Sequence, residues 1–296
     1  MVVVPILATS EIPLRQRPCE PYRPPELLRP LHVLDFWELL GNQALTAQAL
    51  QLHQSTVSRI VTGVSQQFRS RQRVDSRDDP SPLRYLRLAC RAHRMGEGVL
   101  RLASDPLLQP LLEDLPSLQP VPPRFRPIQE WVALIQAGVI DGALVPSPTM
   151  ETGAPSPQPS WQGVQLFSLG MLDLQLALPP GGTQEVLVPD AALAPLLHRQ
   201  LIERQWSLRP LGPHRRQVQD WQQIALRRGL ALPVAPALLP RTWLEQTQRT
   251  LVTLSPGLQM PLWLLMGQEA VVAGTVHQGI SLLRQKLLQA VDPYPT

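Results

Sequence analysis

Between Ala44 and Phe68 the apolar positions recur at helical spacing, with Val57, Val61, Val64 and Phe68 separated by steps of three and four. Ser55, Ser58, Arg59 and Thr62 fall on the opposite side of the same helix. A core helix needs only the first set. The second, opening directly after a turn, is the kind a helix presents to base edges. The same periodicity predicts a helix over about 31–40, with Leu34, Trp37 and Leu40 on its buried face and Gly41–Asn42 ending it. A short helix is expected over 45–52 and another from about Ser55 to Phe68. Three short helices with tight connections fit a helix-turn-helix. The charged, breaker-rich stretch 69–82 reads as a loop or small wing, and helical spacing returns over 83–95. There Arg84, Arg87, Arg91 and Arg94 share one stripe beside Leu83, Leu86 and Cys90. A solvated face accounts for that stripe as well as a phosphate-contacting or dimer-supporting one.

From Gly98 the pattern changes to strands alternating with helices, which predicts an α/β region of parallel-rich sheets. Strands are expected at "GVLRLA", "LQPVPPRF", "VIDGALV", "LDLQLALP", "EVLVP", "WSLRPLG", "LALPVAP" and "MPLWLLM". Helices are expected at "SDPLLQPLLEDL", at "PIQEWVALIQAG" between Pro127 and Gly138, and at 190–205 with Asp190 as N-cap. Two more are expected at "RRQVQDWQQIALRRG" and from about Gln268 to Gln289. Residues 1–29 are proline- and arginine-rich without periodicity and read as a flexible arm.

Composition refines this picture at three points. With 296 residues and 44% hydrophobic content, the chain can bury two cores. No run of about eighteen apolar residues is present, so no membrane span and a cytoplasmic location are expected. The net charge of +4 is uneven: residues 1–95 carry 13 Arg against 8 acids, while the remainder carries 14 basic residues against 15 acids. That asymmetry suggests a basic front module facing a polyanion, with chance clustering as the alternative. Cys19 and Cys90 are too few for a disulfide framework. Enzyme signatures are missing: no Gly-x-Ser-x-Gly, no Gly-x-x-x-x-Gly-Lys and no His-Glu-x-x-His occurs. Cys90 and His93 lack further ligands for zinc. Neither an enzyme, nor a cofactor, nor a metal site is expected.

The segment "ALTAQALQLHQSTVSRIV" resembles the N-terminal winged helix-turn-helix of LysR-type transcriptional regulators. Those proteins usually carry an Ala-Ala pair, a Leu three residues later and a Ser-Gln-Pro-x-Val-Ser-Arg run. Thr46–Ala47 fall on the pair, Leu50 on the Leu, Gln54 on the Gln, and Val57, Ser58 and Arg59 on the Val-Ser-Arg. "GVLRLASDPLLQPLLEDL", "RFRPIQEWVALIQAGVIDGALV", "IALRRGLALPVAPALLP" and "MPLWLLM" follow in the order of the family's effector-binding domain. The sequence departs where Val64–Ser65, preceded by Gly63, replace the usual Leu-Glu pair. Clear Leu-Phe and Thr-x-x-Gly signals are absent between Phe68 and Leu83.

The resemblance implies an α/β fold with an N-terminal winged helix-turn-helix and a C-terminal two-lobe module like type 2 periplasmic binding proteins. The expected organisation is an arm over 1–29, a DNA-binding domain over 30–82, a linker helix over 83–97 and an effector-binding domain over 98–296. Lobe I would comprise about 98–165 and 250–290, and lobe II about 166–249. Double-stranded DNA, a small-molecule effector and a second copy in a homodimer or homotetramer are the implied partners. The expected DNA contacts are Gln54, Ser55, Thr56, Ser58, Arg59 and Thr62, with Thr46 donating to phosphate. Ser104, Asp105 and Ser147 follow strand ends where an effector, anionic if helix amides hold it, would sit. Asp105 is also placed to cap its helix. The rival expectation is a degenerate module of the same architecture that holds a ligand or protein partner and no longer reads DNA.

Overall fold

The computed structural model describes residues 22–69, 82–113, 115, 118–146, 160–161, 163–211, 218–239, 241–268 and 274–291. Ser147 and nearly all of the expected wing lie outside these residues. Three helices open the described chain: α1 (Arg29–Leu40), α2 (Gln43–Leu50) and α3 (Gln54–Arg69). Gly41 adopts the left-handed conformation (φ 63°) and closes α1, its N–H reaching the Trp37 carbonyl. Asn42 opens α2 instead of ending α1: its side-chain oxygen accepts from the Ala44 and Leu45 N–H groups. His53 serves the next turn through its carbonyl, which takes the first helical bonds from Thr56 and Val57.

α1 is apolar nearly all round because it has two hydrophobic partners. Val33 and Leu34 pack with Ala47, Val57, Val61 and Val64 in the core of the three-helix unit. Phe36, Leu39 and Leu40 pack into a second core with Ala103, Val121, Trp131 and Ile135 of the α/β module. Each such side chain contributes roughly 1.5–3 kcal/mol when fully buried. The three helices are thus seated on the module rather than tethered to it.

Helix α4 (Pro82–Gly96) leads into β1 (Leu100–Ser104), α5 (Gln109–Leu112), β2 (Leu118–Pro120), α6 (Ile128–Gln136) and β3 (Gly142–Pro146). β1 pairs in parallel with both β2 and β3. The sheet then turns antiparallel. β10 (Leu258–Gly267) pairs with β3 and with the 15-residue β5 (Val164–Leu178), and β4 (Ser160–Trp161) closes that edge. The order is β2-β1-β3-β10-β5-β4. The expectation of parallel-rich sheets is corrected here, because β10 runs against both of its neighbours, β3 and β5, and makes the sheet mixed.

β5 runs out of this first lobe into a second. Its far end pairs with β8 (Leu232–Val234) and β9 (Thr250–Val252), beside the parallel pair β6 (Glu185–Val188) and β7 (Ser207–Pro210). A register shift between Leu262 and Trp263 of β10 leaves Leu169 of β5 without an opposite residue, a bulge between the lobes. The second lobe also carries α7 (Pro195–Glu203), α8 (Val218–Arg228) and α9 (Arg241–Thr247), and α10 (Gly274–Val291) packs back on the first. The fold is therefore an N-terminal helical unit on a two-lobe α/β module. α7 begins at Pro195, so Asp190 is not its N-cap; its carboxylate accepts from Ala192 N–H in the preceding turn. The helix expected over 104–115 contracts to Gln109–Leu112.

Candidate nucleic-acid interface

The exposed face of α3 carries the residues that the sequence singles out. Gln54, Ser55, Arg59 and Thr62 are exposed, and Thr56 and Ser58 are half-buried, while Val57, Val61 and Val64 hold the helix to α1 and α2. The 16 residues of α3 include Arg59 and Arg69 and no acid. This surface is open and positively charged, with hydroxyl and amide groups around a guanidinium. Gly63 faces open space, since a Cβ there would meet nothing within 4 Å. Close packing is therefore not the reason for that glycine.

Thr46 does not belong to this surface. Its side chain is fully buried and its hydroxyl donates to the Asn42 carbonyl at 2.8 Å. A phosphate contact from that hydroxyl is corrected to an internal bond that steadies the start of α2.

The arginine stripe of α4 is corrected too. Arg84 is exposed, but Arg87, Arg91 and Arg94 are buried. Arg87 meets Asp35 of α1 at 2.8 Å and Glu38 at 2.7 Å. Arg91 and Arg94 converge on Asp141, at 3.0 and 2.6 Å, and Asp141 also accepts from the Arg101 N–H at 2.7 Å. Arg91 further donates to the Ile135 and Ile140 carbonyls around the end of α6. Arg101 of β1 completes the network by binding Asp35, the Val139 carbonyl, Gln119 and His32. Gly138 allows this approach: it is left-handed (φ 75°), and a Cβ there would lie 3.2 Å from the Arg87 Cβ. Three of the front module's guanidinium groups are thus neutralised internally and unavailable to phosphate.

Electrostatics within the network follow from burial and neighbours. Burial works against the Arg94 charge, but Asp141 outweighs it and holds that guanidinium above its ordinary range. Arg101 goes the other way, to about 10, through burial and then Arg94. His32 is held neutral, at about 3, by burial and then by Arg101 and Arg94.

Of the expected effector residues, the described Ser104 and Asp105 are both buried. Ser104 is fully buried and its hydroxyl donates to Gln109 at 3.0 Å. Asp105 caps the following turns, accepting from Leu107 and Leu108 N–H groups at 2.8 and 3.1 Å. Between the lobes, Phe125 of the 121–127 loop is inserted into the second lobe and stacks on Trp221 at 4.7 Å. Near the α7 start a small apolar cavity of about 20 Å³ is lined by Leu174, Leu193 and Met260, room for about one water. Sequence reasoning missed Phe125, whose proline-rich surroundings give no periodic signal.

Burial pushes the Asp105 carboxyl up to about 7, against the pull of the Leu108 and Leu107 N–H groups. In the unfolded chain it titrates near 4, so ionising it costs stability progressively as pH rises from about 4 through 7. Asp105→Asn keeps an acceptor for both N–H groups and removes the charge. We expect the variant to match wild type at pH 4 and exceed it by about 2 kcal/mol at pH 8 in urea unfolding. A gap that does not widen with pH would show that the carboxyl ionises freely.

No family model matches the chain, and no curated protein matches it in sequence. Among solved structures, it is similar to a hydrogen-peroxide-bound OxyR variant from Corynebacterium glutamicum, at 14% identity over 92% of this chain and 95% of that one, with a TM-score of 0.46. It is also similar to ArgP from Mycobacterium tuberculosis, at 16% identity over 87% and 96% of the two chains, with a TM-score of 0.46. A third is HinK, a LysR family transcriptional regulator from Pseudomonas aeruginosa, at 15% identity over 88% and 98%, with a TM-score of 0.43.

Proposed function

We propose that the protein is a sequence-specific DNA-binding regulator that reads a duplex through α3 and works as a homodimer or homotetramer. The observation that carries the reading is the open face of α3. Gln54, Ser55, Arg59 and Thr62 point away from every core, and no acid on the helix opposes the approach of phosphate. In a helix-turn-helix this helix enters the major groove, where Arg pairs bidentately with guanine and Gln with adenine. Ser55, Thr56, Ser58 and Thr62 accommodate either base-pair edge.

Regulation would act through the 121–127 loop. Arg124 donates to the Leu40 carbonyl at 2.9 Å and Arg126 to the Leu39 carbonyl, so both grip the last turn of α1. Phe125 between them sits in the second lobe. Cations suit the C-terminal end of a helix, which strengthens the grip. A ligand that shifts the lobes would therefore move this loop and, with it, the orientation of α1 and α3. Such coupling shifts populations only as far as the ligand prefers one arrangement.

The test is selection of bound duplexes from a random pool, followed by titration of the preferred site. One preferred motif is expected, bound far more tightly than bulk DNA and weakened steeply by salt. Arg59→Ala should lose about 1–3 kcal/mol at that motif and relax the choice at one base pair. Recovery of no motif would favour the rival module that holds a ligand or partner without reading DNA. An unchanged preference in Arg59→Ala would remove Arg59 from the contact set.

A further inference from the structure

A cavity of about 870 Å³ opens between the three-helix unit and the first lobe, within the range of roughly 300–1,000 Å³ that small-molecule sites occupy. It lies away from the inter-lobe region, bounded by α1, the α2–α3 turn, β2 and the start of the 121–127 loop. Apolar walls come from Val33, Phe36, Val99 and Val121.

Beside Tyr22, Glu26 and Gln51, three polar side chains of the lining present N–H groups. Arg101 donates to His32 Nδ1 at 2.7 Å, and a guanidinium can only donate, so Nδ1 accepts. The neutral ring then carries its proton on Nε2, for which the described residues supply no acceptor. Arg101 Nε donates to Gln119 Oε1 at 3.3 Å, which turns the Gln119 carboxamide so that its NH2 remains. The Gln109 oxygen is taken by the Ser104 hydroxyl in the same way. Three polar side chains of the lining thus have their acceptors engaged and N–H groups left over. Arg23 and Arg29, both exposed, add two cations against Glu26.

A site rich in donors, positive at its rim and apolar along its walls selects an oxyanion carried on a hydrocarbon body. We propose that this cavity binds a small carboxylate with an apolar body. Bound there, the ligand touches α1 and the residues leading into the loop that grips it. The proposal goes beyond the regulator reading and stands independently of it.

The test uses the full chain without DNA, so its failure is separable from a failure of DNA reading. Titration calorimetry with 1-naphthoate should give saturable, submillimolar binding, with 1-naphthamide at least tenfold weaker and inorganic phosphate unable to compete. Ala49→Trp alters an exposed lining residue of α2 and should weaken 1-naphthoate at least tenfold while thermal unfolding stays unchanged. Arg29→Glu should weaken 1-naphthoate severalfold and leave 1-naphthamide alone. Absence of saturable 1-naphthoate binding, binding that Ala49→Trp leaves intact, or equal affinity for 1-naphthamide would each overturn the assignment.

Discussion

Asp141→Asn is expected to destabilise the protein by about 3–5 kcal/mol at pH 7, because it leaves two buried guanidinium groups without their counter-charge. Asp141 is fully buried and accepts from Arg91 Nε, from Arg94 Nε and Nη2, and from the Arg101 N–H. Asparagine preserves the volume and one oxygen but none of the charge. Burial alone would raise the Asp141 carboxyl; Arg94 and Arg91 override it and hold the group below the ordinary carboxylate range. A carboxyl depressed on folding stabilises above its unfolded value near 4, and the contribution is lost as pH falls through the folded value. The deficit of Asp141→Asn should therefore be full at neutral pH and shrink only below about pH 4. Urea unfolding across pH 3–8 measures it. A loss under 1 kcal/mol at pH 7 would mean that water or an anion replaces the missing charge. Replacing Asp141, Arg91 and Arg94 together with apolar residues should recover most of the stability, since an ion cluster exchanged whole for hydrocarbon is often close to neutral.

The same cluster marks where the sequence was legible and where it was not. The helical step of Arg87, Arg91 and Arg94 locates them on one face, yet spacing cannot say what that face meets. Their acidic partners Asp35 and Asp141 lie about fifty residues away in both directions. A signal existed: His32 and Asp35 fall among the apolar positions of α1, and a helix buried on two sides needs a partner for each polar group it buries. By contrast, α3 was legible because a one-sided helix reports its own orientation. The expected span of Ser55 to Phe68 differs from Gln54–Arg69 by one residue at each end. The long strands β5 and β10 were read short, as "LDLQLALP" and "MPLWLLM". β10 pairs along its whole length with Val164–Leu174 of β5, and that long-range pairing leaves little local pattern. Ser104 and Asp105 were placed by analogy with strand ends, and their side chains serve local bonds instead, Ser104 to Gln109 and Asp105 to the Leu107 and Leu108 N–H groups.

Asp35→Asn is expected to loosen the seat of the three N-terminal helices. Asp35 is nearly fully buried and joins three elements, binding Arg87 of α4 through one oxygen at 2.8 Å and Arg101 of β1 through the other at 3.0 Å. Arg101 already carries its charge at a disadvantage, and Asp35 opposes that loss. Without it, about 3 kcal/mol of stability should disappear, and the loss should be local. Hydrogen exchange should show amides of α1 and α4 losing protection while those of β8 and β9 in the second lobe keep theirs. The cores formed by Val33 and Leu34 with Val57 and Val61 do not involve Asp35, so the three-helix unit should persist as a fold. If α3 reads DNA as proposed, the variant should select the same motif as wild type, while any ligand effect on affinity diminishes because the connection to the lobes is slack. Uniform loss of protection through both lobes would instead make Asp35 a plain stability residue and separate the charge network from any regulatory route.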